Sequence, residues 1–184
     1  MREKDVSVNE LEGNILKELK SGTVDLVVEH ELHGITPEML QWWWWNMVDS
    51  RYYQLWHPKD HIGIEWEVPP AKGRLIGAIR SVEESIGEFP VRKLRIRIED
   101  PTLSPIVATY SYVNATSIIG LDNKPVAWIT HEYKAESYGV RMRSTFRLSA
   151  NTPQEFIDAL RKHNIEEMGR LPEFLPELYK KNFG

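Results

Sequence analysis

The chain has 184 residues, 41% hydrophobic and 27% charged, with a formal net charge of −4 and no cysteine. That length suffices for one domain with a sizeable core. The acidic balance gives no footprint for nucleic acid, and the lack of thiols removes disulfides, cysteine nucleophiles and thiolate zinc sites together.

Residues 1–22, MREKDVSVNELEGNILKELKSG, have the charge pattern of a short amphipathic helix and lack the continuous apolar core of a signal peptide. They are read as an N-terminal helical extension, with residues 23–184 as one core domain. No apolar run approaches the roughly 20 residues that a membrane-spanning helix needs. A cytoplasmic protein without a membrane partner is the expectation, and a homodimer is among the states the sequence allows.

Thr23–Leu32 is rich in β-branched residues and predicts a strand. Thr36-Pro37-Glu38 reads as a helix start, and the helix runs to about Ser50 through four consecutive tryptophans, Trp42–Trp45. Successive residues step about 100° around a helix, so the four rings cannot share a face. Core packing is the ordinary role for each, and Trp42 and Trp45 are candidates for a pocket wall.

HPKDH, residues 57–61, forms a turn in which His57 and His61 are either surface residues or aimed at a site. Ile62–Val68 alternates as a strand, and extended segments follow at about Gly73–Gly87, Val91–Glu99, Ile106–Ala115 and Val126–Tyr133. In GAIRSVEESIG, Ile76, Ala78, Val82, Glu84 and Ile86 share one face, interrupted by Arg80, while Glu83 falls on the other. Period two therefore selects Glu84 as the inward carboxylate, unless a bulge exchanges the pair. His131 shares its face with Ala127, Ile129 and Tyr133, as an acid–base group or a hydrogen-bonded core histidine. Val140–Leu148 alternates cleanly, so one face of its sheet meets a core and the other meets water.

The last helix begins at the capping box Thr152-Pro153-Gln154-Glu155 and runs to about Arg170, before a proline-punctuated tail. Phe156, Leu160, His163, Glu167 and Leu171 form one stripe along it. His163 and Glu167 project within about 40° of each other, close enough to reach one ion. Their ordinary reading is a core histidine and a solvated carboxylate. The stripe favours the alternative, because a buried carboxylate needs a partner such as a metal. The order of elements predicts an α+β fold, a curved antiparallel sheet gripping the C-terminal helix around a cavity.

The segments GITPEMLQWWWWNMVDSRYYQLWHPKDH, GAIRSVEESIG, RMRSTFRL and HNIEEMGRLPEFLPELY resemble, in order, those of the 2,4-diacetylphloroglucinol hydrolases. The resemblance runs from about Gly34 to Tyr179. It implies a helix-grip, Bet v 1-like fold and a zinc-dependent hydrolase that breaks the carbon–carbon bond between an acyl group and a phenolic ring. The zinc ligands it implies are His61, Glu84, His163 and Glu167. His57 stays the alternative to His61, whose strand parity opposes Ile62, Ile64 and Trp66. Iron or manganese would suit a similar nitrogen/oxygen site. Tyr53 matches a tyrosine that contacts the phenolic substrate, and His131 a histidine placed to protonate the ring carbon. A second substrate tyrosine falls near Met142, which with Trp42 and Trp45 is a candidate for the substrate-pocket wall, and an asparagine falls near Ile64, so this chain departs from the pattern at both. The competing reading is a non-catalytic module that holds a hydrophobic aromatic ligand or lipid in the same cavity.

Overall fold

The computed structural model describes residues 22–183, and the helix predicted at the N-terminus lies outside them. In chain order the elements are β1 (Thr23–His33), α1 (Pro37–Asn46), α2 (Ser50–Trp56), β2 (His61–Val68), β3 (Ile79–Glu84), β4 (Arg92–Ile98), β5 (Tyr112–Ile119), β6 (Pro125–Glu136), β7 (Gly139–Ser149) and α3 (Gln154–Phe183). The strands form one antiparallel sheet in the order β1-β7-β6-β5-β4-β3-β2. β2 to β7 are a meander, and β1 joins beside β7. The α1–α2 connection therefore carries the chain from one edge of the sheet to the other, and α3 packs against the sheet. This is the α+β helix-grip arrangement.

The inner face follows the period-two pattern. Leu26, Val28, His30 and Leu32 of β1 are buried, as are Val140, Met142, Ser144 and Phe146 of β7. On the outer face the arginines of β7 pair with acids directly opposite on β1: Arg141 with Glu31, Arg143 with Glu29 and Arg147 with Asp25. Opposite charges at facing positions stabilise the register of this edge.

The helix predicted from Pro37 to Ser50 is two helices. α1 ends at Asn46, and Asp49 caps α2 by accepting from the Tyr52 amide at 3.0 Å. The break turns Tyr53 and Trp56 under the sheet, where both are buried. The strand expected over residues 106–115 lies instead at Tyr112–Ile119. The Thr109 and Tyr110 amides donate to the Glu132 carboxylate, which holds this stretch off the ladder. The strand expected over residues 73–87 is only Ile79–Glu84, since Gly77 turns the chain at φ 91°.

The last helix does not stop near Arg170 but continues through Pro172 and Pro176 to Phe183. Each proline removes one donor from the helix. Leu171 and Leu175 are fully buried, and Phe174 and Leu178 pack on the same core, so tertiary burial outweighs the local loss.

The four tryptophans divide as the helical step requires. Trp43 is fully buried between Trp56 and Phe174, Trp44 lies under the sheet, Trp42 packs on Tyr179 and Phe183, and Trp45 is 40% exposed. Trp43→Ala is expected to cost about 3–5 kcal/mol, and Trp45→Ala within about 0.5 kcal/mol, by urea unfolding. Equal losses would show that the block does not divide energetically as it does sterically.

Candidate metal centre

Four side chains from three separate elements meet at one end of the cavity. His61 opens β2, Glu84 closes β3, and His163 and Glu167 sit one turn apart on α3. His61 Nε2 lies 3.8 Å from Glu84 Oε2 and 3.6 Å from Glu167 Oε2, and His163 Nε2 lies 3.7 Å from Glu167 Oε2. These separations are too long for hydrogen bonds. They approach the roughly 3.4 Å edge of a tetrahedron of ligands about 2.0–2.2 Å from a central ion. His61, His163 and Glu167 present ligand atoms all within 4.8 Å of one another, and Glu84 adjoins these three through His61.

The other ring nitrogens fix the tautomers. His61 Nδ1 faces the Tyr53 carbonyl oxygen at 3.0 Å, and a carbonyl only accepts. Nδ1 therefore carries the proton and Nε2 presents its lone pair. His163 Nδ1 donates in the same way to Asp60 Oδ2 at 2.9 Å. The His163 bond and the Gly87 amide hold the Asp60 carboxyl below its usual range, although burial pushes it up. A histidine held through one nitrogen by a carboxylate or carbonyl, with the other bare, is the usual supported metal ligand.

The carboxylates are held similarly. Glu167 Oε1 accepts from Asn164 Nδ2 at 2.8 Å, which leaves Oε2 to the cluster, and the Tyr53 hydroxyl donates to Glu84 Oε2. Tyr53 also stacks on His61, with ring centroids 3.8 Å apart. Burial pushes the carboxyls of Glu84 and Glu167 above their ordinary range, and Glu84 raises Glu167 further. Burial lowers both His61 and His163. Two carboxyls and two bare imidazole nitrogens in one dry place want a cation, and the donor set fits a divalent metal without thiolates.

The parity of His61 is resolved by a bulge. β2 pairs His61 with Glu84 and Gly63 with Glu83, so Ile62 is the extra residue. His61 and Ile64 are buried while Ile62 is 40% exposed. On β3, Glu84 faces inward and Glu83 is exposed, as period two expects. His57 does not join the four. Its Nδ1 accepts from the Asp60 amide, and its Nε2 lies 3.2 Å from Glu166 Oε2. It stacks on His163 at 4.6 Å and forms a second grouping with Asp60.

The cavity encloses about 140 Å³ and is lined mainly by apolar side chains. Trp44 lines it, whereas Trp42, Trp45 and Met142, the expected wall residues, do not. Trp45 borders a separate depression, and Met142 is fully buried in the core. At the wall, His131 stacks against Trp44 at 5.6 Å, and its Nδ1 lies 2.9 Å from Ser144 Oγ. Burial drives His131 down to about 3, so its ring is neutral.

A polar chain unforeseen from sequence joins His131 to the cluster. The Asn164 amide donates to Glu167, so its carbonyl faces His30 Nε2 at 2.9 Å and sets a proton there. Ser144 Oγ lies 3.3 Å from that nitrogen and keeps its own proton for His131 Nδ1. His131 then carries its proton on Nε2, which has no protein acceptor among the described residues. Asp60 and Asn164 adjoin predicted ligands in sequence, which is the one signal that marks them. His30 and Ser144 gave none beyond their place on inward strand faces.

The family profile of the DAPG hydrolase PhiG domain matches residues 13–158, most of the chain, and stops five residues short of His163. No curated protein sequence matches significantly. The fold is similar to that of Ara h 8.0201, with a TM-score of 0.57 and 10% identity over 85% of this chain and 99% of that one. It is similar also to a protein of unknown function, SA2116 from Staphylococcus aureus, with a TM-score of 0.58 and 13% identity over 86% and 97%. These neighbours mark the fold as helix-grip, Bet v 1-like.

Two outcomes follow for the cluster. Zn²⁺ added to chelator-stripped protein is expected to release protons at mildly acidic pH, because the raised carboxyls must lose them to bind. Calorimetry in buffers of different ionisation heat reads this. His163→Ala is expected to weaken uptake by about a hundredfold or more, beyond the 10–100-fold typical of residues that only support ligands. Unchanged affinity would remove His163 from the site. For His131 the folded value lies below the unfolded 6.5, so the unfolded chain binds the extra proton. Stability contributed by this residue is full above pH 6.5 and falls as pH drops toward 3, by at most about 1.4 kcal/mol per pH unit. His131→Gln should flatten the acid limb of urea-unfolding stability against pH, and an unchanged slope would contradict the buried neutral ring.

Proposed function

The chain belongs to the DAPG hydrolase PhiG domain family, and from that premise we propose that it is a zinc-dependent hydrolase that cleaves the carbon–carbon bond between an acyl group and a phenolic ring. The observation that carries this reading is the meeting of His61 Nε2, His163 Nε2, Glu84 and Glu167 at the wall of an apolar cavity. His61, His163, Glu84 and Glu167 would hold the ion, with iron or manganese as alternatives of similar ligand taste. A divalent ion there supplies Lewis acidity toward a carbonyl oxygen and an acidified water.

The overall reaction adds one water across the aryl–acyl bond. The water oxygen bonds to the carbonyl carbon, the carbon–carbon bond breaks, a carboxylic acid leaves and the ring carbon takes a proton. A cavity of about 140 Å³ is close to the roughly 150 Å³ known to admit a benzene ring, so it suits one aromatic ring. Trp44 supplies a flat apolar wall, and its stacking fixes the plane of His131. Tyr53 stays a phenol, its hydroxyl pushed well above the ordinary range by burial and by Glu84, and orients that carboxylate. In a substrate complex the same hydroxyl oxygen, its hydrogen held by Glu84, is placed to accept from a ring hydroxyl.

His131 passes the proton to the ring carbon. Its Nε2–H gives up that proton as the carbon–carbon bond breaks and regains one from the water added across the bond. Ser144 at Nδ1 fixes the tautomer and keeps its own proton, so the imidazole ends neutral. This suits a ring that burial keeps neutral. The competing reading, ligand storage without turnover, is favoured by one observation. At the two positions where substrate-contacting residues are expected, Ile64 gives the cavity an apolar wall and Met142 is buried away from it.

Incubating the zinc-loaded protein with a panel of acylphenols separates the readings. The expected result is stoichiometric release of carboxylic acid, lost on chelation. His131→Gln is expected to lower kcat by about 100-fold or more with ligand affinity retained. Binding of the same compounds without acid release would sink the hydrolase reading and leave the storage one. Unfolding on chelation without turnover would assign the ion a structural role.

A further inference from the structure

Arg80 interrupts the inward apolar face of β3, between Ala78 and Val82, opposite Trp66 of β2 and Ile96 of β4. It is 5% exposed and lines the same cavity as Tyr53, Glu84 and His131. One guanidinium nitrogen donates to the Trp44 carbonyl, and the group lies over the Trp66 ring at 4.6 Å. Its Nε–H is buried without an acceptor, and among the described residues no carboxylate comes within salt-bridge distance of it.

The contrast with the outer face is sharp. Arg95, Arg97, Arg141, Arg143 and Arg147 each hold a carboxylate while remaining partly open to water. Among the described residues, the arginine with least water has no counter-charge. Burial lowers Arg80 to about 10, which still leaves it cationic at neutral pH. An unpaired buried charge is costly, and one carbonyl acceptor with one aromatic face does not neutralise it. Nor does the metal cluster. With a divalent ion bound, Glu84, Glu167 and Asp60 leave one negative charge over, yet among the described residues none of these carboxylates lies within salt-bridge distance of Arg80.

We propose that Arg80 is a specificity-determining residue that binds a planar oxyanion, a carboxylate or phenolate, borne on the aromatic ring of the substrate. This rests on the hydrolase reading for the word substrate, while the binding itself does not need turnover. The guanidinium fork matches such a group in the plane of the ring, and the Trp66 face and Trp44 carbonyl hold the fork in place. Recognition of this kind divides the cavity. The cluster of His61, Glu84, His163 and Glu167 meets the acyl end, and Arg80 meets the ring substituent. An arginine at the ring also stabilises negative charge that spreads into it when the acyl carbon departs.

The test uses metal-loaded protein and two probes, read by tryptophan fluorescence and visible absorbance. Benzoate is expected to bind about tenfold or more tightly than methyl benzoate. Bound 4-nitrophenol is expected to absorb as the phenolate at a pH where the free compound is the phenol. A response in the first arm alone assigns a carboxylate, and in the second alone a phenolate. Arg80→Met should abolish whichever preference is seen while methyl benzoate binding persists. Arg80→Lys, which keeps the charge, should retain part of the preference and guards against a folding loss in Arg80→Met. No preference in the wild type overturns the proposal. A preference that survives in Arg80→Met places the anion on the metal and overturns it too. Acylphenol turnover is scored separately, so a protein that prefers anions through Arg80 but releases no acid fails the hydrolase reading and not this one.

Discussion

Two carboxyl groups, Glu167 buried and Glu84 14% exposed, lie beside the same imidazole, with their oxygens 3.6 and 3.8 Å from His61 Nε2. Neither that nitrogen nor its counterpart on His163 has a hydrogen to offer, because each ring spends its proton on the far side. The surroundings are built to keep this so. The Tyr53 carbonyl, Asp60 and Asn164 each take one polar atom of the cluster out of play and leave the remaining ones facing one another. Removing one of these supports would free a ring or carboxylate to rotate and collapse into an ordinary hydrogen bond, which is why support residues matter almost as much as ligands.

The same constraint organises the fold around it. His61 depends on the turn after α2, Glu84 on the end of β3, and His163 and Glu167 on α3, so the cluster ties the first connection, one sheet edge and the last helix together. His30 and Ser144 extend the polar chain under β1 and β7 to His131, at the far wall of the cavity. The ends of this chain are the two places where the proposed chemistry acts. Its middle is made of groups whose proton positions follow from those ends. Buried hydrogen bonds of this kind give rigidity as well as orientation, and the chain leaves one donor, His131 Nε2, without a protein partner among the described residues.

Much of this was legible in the sequence, and the parts that were not have physical reasons. Strands with a wet face betray themselves by alternation, so β7 and the inward position of Glu84 could be read from period two. The stripe through Leu160 and Leu171 marked His163 and Glu167 as misplaced among apolar residues. Helix ends were harder. Asp49 opens a second helix where the tryptophan run predicts one continuous helix, and Pro172 and Pro176 fail to end one whose leucines are needed in the core. The choice among the tryptophans was set by which ring the α1–α2 break turned toward the cavity, and no local signal carries that. Arg80 was visible only as an interruption. Its meaning needed the structure, because an arginine on an inward face is unremarkable until its partners are counted.

The extra residue in β2 has a consequence for how such chains change length. Two residues stand between His61 and Ile64, where a regular ladder needs one to keep both inside. Loss of a single codon at Ile62 or Gly63 would thus leave the imidazole and the core isoleucine on their present side of the sheet. An equal loss one step further along would turn the rest of the strand over. Between two members of a lineage, a gap at this point is therefore a silent spacer, while the same gap drawn one column away is a different protein. Alignments through HPKDHIGIEW have to be judged by which side chains stay indoors, since residue counting alone will misplace the histidine.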